Sequence, residues 1–183
     1  MPQLTSEDRA FLTNHLTQTR DLLINEISNL RLDQWTFRPD DETWSIADCA
    51  DHIVCIEKLT FAMVSKRMQA APPDPQRAAE VQKKTAWILE AVPSRHARAK
   101  VPPGIENTIH FSTPEEFADS FAERRAALLK YVGETQDPMH DRVFPHMIFK
   151  DLDGYQWLLM ISLHSERHAA QIAEVKAHAA YPK

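Results

Sequence analysis

An all-α fold of four long helices is what this sequence predicts, and three observations carry the prediction. Apolar residues recur at three- and four-residue spacing through four separate stretches, and helix-start signals stand in front of them. No stretch reads convincingly as a strand. Only three glycines, Gly104, Gly133 and Gly154, punctuate 183 residues. Amphipathic helices of this kind must bury their apolar stripes against one another, which makes a four-helix bundle the expected architecture. A chain this long supports one good core and shows no linker, so residues 1–183 are expected to form a single domain.

The first helix starts at Ser6-Glu-Asp and carries Phe11, Leu12, Leu16, Leu22, Leu23, Ile27 and Leu30, running to about Leu32. His15, Thr19 and Glu26 fall within its apolar range; Glu26 reads either as a carboxylate at the stripe's edge reaching water or as a buried partner. The second begins after Trp44, where Ser45 and Asp48 form a near capping box, and turns Ile46, Cys49, Ile53, Ile56, Thr60 and Met63 inward, with His52 at the edge of that face. Pro72-Pro-Asp-Pro75 ends it. Residues Arg77 to Val92 suit a short extra helix inserted before the third long one, built on Val81, Thr85, Ile88 and Leu89 and followed by a proline-rich segment through Val101-Pro-Pro-Gly104.

Thr113-Pro-Glu-Glu116 supplies cap, first-position proline and third-position glutamate for the third helix, 114–132, with Gly133 as its stop. Arg125 lies near the middle of the arc made by Phe117, Ala118, Phe121, Leu128 and Val132. It is expected to snorkel to the surface, a buried partner for Glu26 or an anchor for a substrate anion being the alternatives. Glu134 to Asp153, holding His140 and His146, has no clear period and reads as a loop over one end of the bundle; the fourth helix follows from Gly154 to about Ala179.

Charge and cysteine usage exclude several classes. A formal charge of −5 and a pI near 6.0, with no block of Lys and Arg, argue against a nucleic-acid surface. The N-terminus lacks a basic segment followed by an apolar run, and no apolar run could span a bilayer, so a cytoplasmic protein is expected. Cys49 and Cys55 lie about 240° apart around one helix, cannot bridge within it, and read as core thiols. Three glycines cannot build a phosphate-cradling glycine loop.

The chemistry lies in the fourth helix, where His164 and His168 are one turn and about 40° apart. Trp157, Ile161, Ile172 and Val175 share their stripe, so both imidazoles face inward, where they are costly unless both ring nitrogens find partners. Nine scattered histidines give roughly 0.4 such pairs by chance, and spacing alone leaves metal ligands and hydrogen-bonded core histidines equally open. His52 offers a third inward imidazole from another helix. Glu166, about 200° around from His164, excludes the zinc-protease pattern; Glu57, about 140° from His52, is poorly placed to ligate. Gln171, about 20° from His164, and Asp48, one turn before His52, are candidates to hold the ligand rings, lining or capping the bundle being the alternative for each.

Arg38-Pro39, Trp44-Ser-Ile-Ala, His52, Glu57, Arg125, the run from His146 to Trp157, and His164-Ser-Glu-Arg-His168-Ala-Ala-Gln171-Ile172 occur in an order that resembles the DinB-like family of metalloenzymes over nearly the whole chain. That resemblance implies an up-down-down-up four-helix bundle with a divalent metal held by His52, His164 and His168. Lys150 stands where relatives often have glycine, and Met147 where proline is usual, which leaves the loop's path over the site open. Family members of known activity include thiol S-transferases that use bacillithiol or mycothiol. Three neutral imidazoles leave an ion an open position, where water or a thiol would lose its proton more readily, and zinc, nickel and iron suit the ligands equally. Two readings follow. One is a metal-dependent enzyme, a thiol S-transferase with a low-molecular-weight thiol as co-substrate or a hydrolase, acting on a small molecule. The other is a non-catalytic metal-binding or stress-response protein. A homodimer is left open.

Overall fold

Helix α1 spans Ser6–Ile27 and is set by a reciprocal cap: the Thr5 hydroxyl accepts the Asp8 backbone N–H at 3.1 Å, and the Asp8 carboxylate accepts the Thr5 N–H at 2.8 Å. In this computed structural model, which describes residues 2–96 and 108–183, α1 stops well before the expected Leu32. Asn29 adopts a left-handed φ of 60°, a conformation asparagine tolerates just past a helix end. Leu30 continues the apolar period from the turn, packing on the cluster of Leu23, Ile27 and Trp35, and a single-turn α2, Leu32–Trp35, follows.

Helix α3, Ile46–Ala62, starts on the Ser45–Asp48 capping box and runs through a π-helical turn, Met63–Arg67, into a short α4, Met68–Ala70. The single extra helix expected over 77–92 is two: α5, Pro75–Gln82, and α6, Thr85–Ala91. A distant residue breaks it. Gln156, fully buried, donates to the Val81 carbonyl at 2.7 Å and to the Thr85 hydroxyl at 2.9 Å; with the Lys84 N–H at 3.2 Å it fills both lone pairs of the carbonyl that would accept the Thr85 N–H in a continuous helix. The Val101 to Gly104 segment lies outside the described residues.

Helix α7, Pro114–Glu134, is capped by Thr113 and carries Gly133 inside its last turn rather than beyond its end. The stretch expected to be a loop contains a hairpin, β1, Val143–His146, paired antiparallel with β2, Lys150–Asp153, with His146 opposite Lys150. Lys150 takes φ 56°, the left-handed position that closes a three-residue hairpin loop, so the turn keeps its glycine-like geometry without glycine. Four-residue strands are too short to show a period. Asp153 then caps α8, Gly154–Lys176, through another reciprocal box, with Gln156, and this helix ends short of the expected Ala179. Gly154 is required by space: a Cβ there would stand 3.0 Å from both the Met139 Cα and its carbonyl oxygen, and 2.6 Å from its Sδ.

The four long helices pack in a ring, α1 on α8, α8 on α3, α3 on α7 and α7 on α1. Two apolar clusters fill it, one including Leu12, Leu16, Met63, Leu128 and Ile161, the other Leu23, Ile53, Phe121, Ala169 and Ile172. Between them lies a polar layer, because Thr19, Glu57, Arg125 and Ser165 each fall between members of the two clusters along their helices. Arg125, expected to snorkel, is fully buried there. Its Nε stands 2.9 Å from Glu57 Oε2; its terminal nitrogens donate to Ser165 Oγ at 2.5 Å and to the Leu16 carbonyl and Thr19 hydroxyl at 3.4 Å. Glu26 is not its partner. Seven residues along α1 from Thr19, roughly 10 Å, it accepts instead from Lys176 Nζ at 2.8 Å. Cys49 and Cys55 are buried and unbridged, and no helix among the described residues is long and apolar enough to cross a membrane.

Candidate metal centre

Two helices bring the site together. His52 projects from α3 two turns past the Ser45 cap, and His164 and His168 come from the middle of α8, which packs on α3. The three residues each offer a ligand atom within 4.8 Å of the others, and Nε2 of His164 stands 3.1 Å from Nε2 of His168. Two nitrogens bound to one ion at about 2.0–2.1 Å and the tetrahedral angle would be separated by roughly 3.3 Å, so the observed spacing fits a shared ion. His52 and His168 are each only 6% exposed.

The electrostatics suit ligation as well. Burial, followed by His52 and then Arg95 and Arg167, pushes the His168 imidazole down to about 3. Burial, then His168 and His52, holds His164 well below the ordinary histidine range. Both rings are therefore neutral near pH 7, with lone pairs to offer. Trp44 walls the cluster, edge-on to His52 at 5.0 Å and stacked on His168 at 6.0 Å with an interplanar angle of 11°.

The model of the DinB superfamily matches residues 15–172, a span that takes in α3, α7, the hairpin and all three histidines. This chain belongs to the DinB superfamily. Among similar proteins is the uncharacterized protein YuaE of Bacillus subtilis (strain 168), 27% identical over 152 residues, which cover 83% of this chain and 89% of that one. No solved structure gives a significant match.

Other residues singled out in this DinB-superfamily chain fall in different places. Gln171 stands beside the site, hydrogen-bonded to His168 and accepting from Arg95 at 3.2 Å through its amide oxygen. Asp48 does not back His52: one carboxylate oxygen caps α3 through Ser45 and the other accepts from Arg38 at 2.8 Å. Glu57 belongs to the Arg125 layer, and Glu166 reaches His15 at 3.3 Å on the other side of α8. His140 bridges two helix caps, Nε2 at 3.1 Å from Asp8 and Nδ1 at 3.2 Å from Asp153. His146 sits on the hairpin against Trp157. Sequence reasoning missed Arg95 and Arg167 as charged neighbours of the cluster; Arg95 follows the inserted helices where no period marks it, whereas Arg167, adjacent to His168, was there to be found.

Proposed function

We propose that this DinB-superfamily protein is a metal-dependent enzyme that holds one divalent ion, zinc, nickel or iron, on His52, His164 and His168. The observation that carries the reading is the convergence of three ring nitrogens within 4.8 Å of one another, with His52 and His168 buried and with His164 and His168 held neutral. Three such bases gathered from two helices gain far more from an ion than from each other. The ring of long helices is read with it as the up-down-down-up bundle of the family, one domain over residues 1–183.

When bound, the ion supplies Lewis acidity, lowering the pKa of a water or thiol held beside it. The chain does the rest. Burial keeps the His164 and His168 imidazoles deprotonated, Trp44 excludes water from one side, and Gln171 fixes the rotation of His168 through a hydrogen bond. A three-histidine set leaves room for a small molecule, which favours thiol S-transfer with a low-molecular-weight thiol, or hydrolysis, over a closed structural site. A cytoplasmic homodimer belongs to the same reading. The alternative is a non-catalytic metal-binding or stress-response protein.

Cobalt substitution tests it. Adding a small thiol to the cobalt form is expected to give a sulfur-to-cobalt charge-transfer band that disappears in His164→Ala and His168→Ala. Turnover without that band selects hydrolysis. Neither band nor turnover against thiols with electrophiles, esters and amides selects the non-catalytic alternative.

A further inference from the structure

His146 stands outside the three-histidine cluster, at the end of β1, and its ring is fixed on several sides. Its Nδ1 accepts the backbone N–H groups of Ile148 and Phe149, both at 3.1 Å. Its ring lies 4.8 Å from that of Trp157 and 5.2 Å from that of Phe149. Phe149 is held in turn by Trp87 at 5.6 Å and by Lys84, whose ammonium donates to the Phe149 carbonyl at 2.7 Å. The strand is tied to α8 by Trp157 Nε1, which donates to the Phe144 carbonyl at 3.3 Å.

These contacts decide where the proton is. A neutral imidazole carries one, and a nitrogen that accepts two N–H groups cannot bear it, so the proton is on Nε2. His146 is thus a hydrogen-bond donor whose orientation is set by the hairpin. Its location follows from α8. Trp157 precedes His164 by two turns and lies about 20° from it around the helix, on the same face. Helical side chains lean toward the N-terminus, so the His164 imidazole covers the turn that precedes it, and the His146 ring packed on Trp157 lies N-terminal to it along the same face of α8. In keeping with that, His146 is among the groups that act on His164 electrostatically.

We propose that His146 is a positioning residue of this site, its Nε2–H a preset donor to the molecule that takes the open side of the three-histidine cluster. The inference rests on the metal reading above. It narrows the ligand class to molecules whose metal-facing group accepts a hydrogen bond: a carboxylate, a carbonyl or a thiolate. The hairpin, rather than the helices, then selects what enters.

Three variants separate this role from a purely structural one. His146→Asn keeps an acceptor for the turn N–H groups and removes the Nε2 donor. His146→Gln keeps a donor near the Nε2 position, and His146→Ala removes both functions. Each is loaded with cobalt, its metal content measured, and azide titrated while the visible spectrum is followed. Wild-type cobalt content is expected in all three, with azide binding about tenfold weaker in His146→Asn and His146→Ala and largely restored in His146→Gln. Unchanged azide affinity in a fully loaded His146→Asn protein overturns the proposal, and so does loss of cobalt from His146→Asn, which would make the residue a ligand. Should His146→Ala unfold, the Asn and Gln pair still decides. A wild-type protein that takes up no cobalt defeats the metal reading itself, a result distinct from either.

Discussion

Two buried polar clusters lie among the same four helices, and they are built on opposite plans. The Arg125 layer closes on itself: one guanidinium is matched by a carboxylate, two hydroxyls and a backbone carbonyl drawn from the other three long helices, and stacks over Phe121 at 4.8 Å. The histidine cluster gathers three groups of one kind, whose crowding depresses the protonation of His164 and His168 and converges ring nitrogens on one point. Opposites that meet hold a fold together; like groups that meet call for something between them. Removing a member of the first should therefore cost stability, and removing a member of the second should cost a ligand.

The largest effect is expected at Arg125. Arg125→Ala leaves the Glu57 carboxylate buried without its counter-charge and should lower stability by about 3–5 kcal/mol in denaturant unfolding. The double variant Arg125→Met with Glu57→Gln removes both charges and should lose much less. A wild-type midpoint for Arg125→Ala would break the comparison at its stronger end. In metal-free protein, His52→Ala should by contrast shift the midpoint by a small fraction of the Arg125→Ala loss, since truncating one base leaves no buried charge behind.

Much of this contrast was legible in the sequence and part was not, for reasons that differ by residue. Helix starts are local events, so the caps before α3 and α7 and the histidine pair on α8 could be read from a few neighbouring positions. Arg125 was placed on the inward arc, but a helical wheel does not say what stands opposite. Glu57 was weighed only as a ligand beside His52, whereas it faces α7. The split between α5 and α6 depends on Gln156, more than seventy positions away along the chain. The hairpin turn is held by a histidine side chain and a left-handed lysine, neither of which is a standard turn signal.

pH sharpens the comparison further. The hydrogen bond to Asp153, assisted by Asp8 against the cost of burial, raises the His140 pKa above the ordinary histidine value. A raised folded-state pKa means that its stabilisation is fully present below the unfolded value of about 6.5 and is lost as pH rises through the folded one. His168, depressed to about 3, behaves in the opposite sense in metal-free protein: stability falls as pH drops below the unfolded value. Unfolding midpoints measured across pH should show both limbs, with His140→Gln flattening the alkaline one and His168→Ala the acid one. An alkaline limb unchanged in His140→Gln would remove His140 as a clamp between the α1 and α8 caps.

The smallest expected effect is at the hairpin. Lys150 holds φ 56°, and Lys150→Gly should raise stability by up to about 1 kcal/mol, because relief of left-handed strain outweighs the added freedom of the unfolded chain. A loss of stability instead would show that the lysine side chain contributes more to the turn than its backbone costs.

The central claim is tested most directly by elemental analysis of purified, dialysed protein, comparing wild type with His52→Ala, His164→Ala and His168→Ala and with His178→Ala as a control. One divalent ion per chain in wild type and control, and a sharp loss in each of the three variants with the fold retained, is the predicted result. Full metal occupancy in His52→Ala would contradict it.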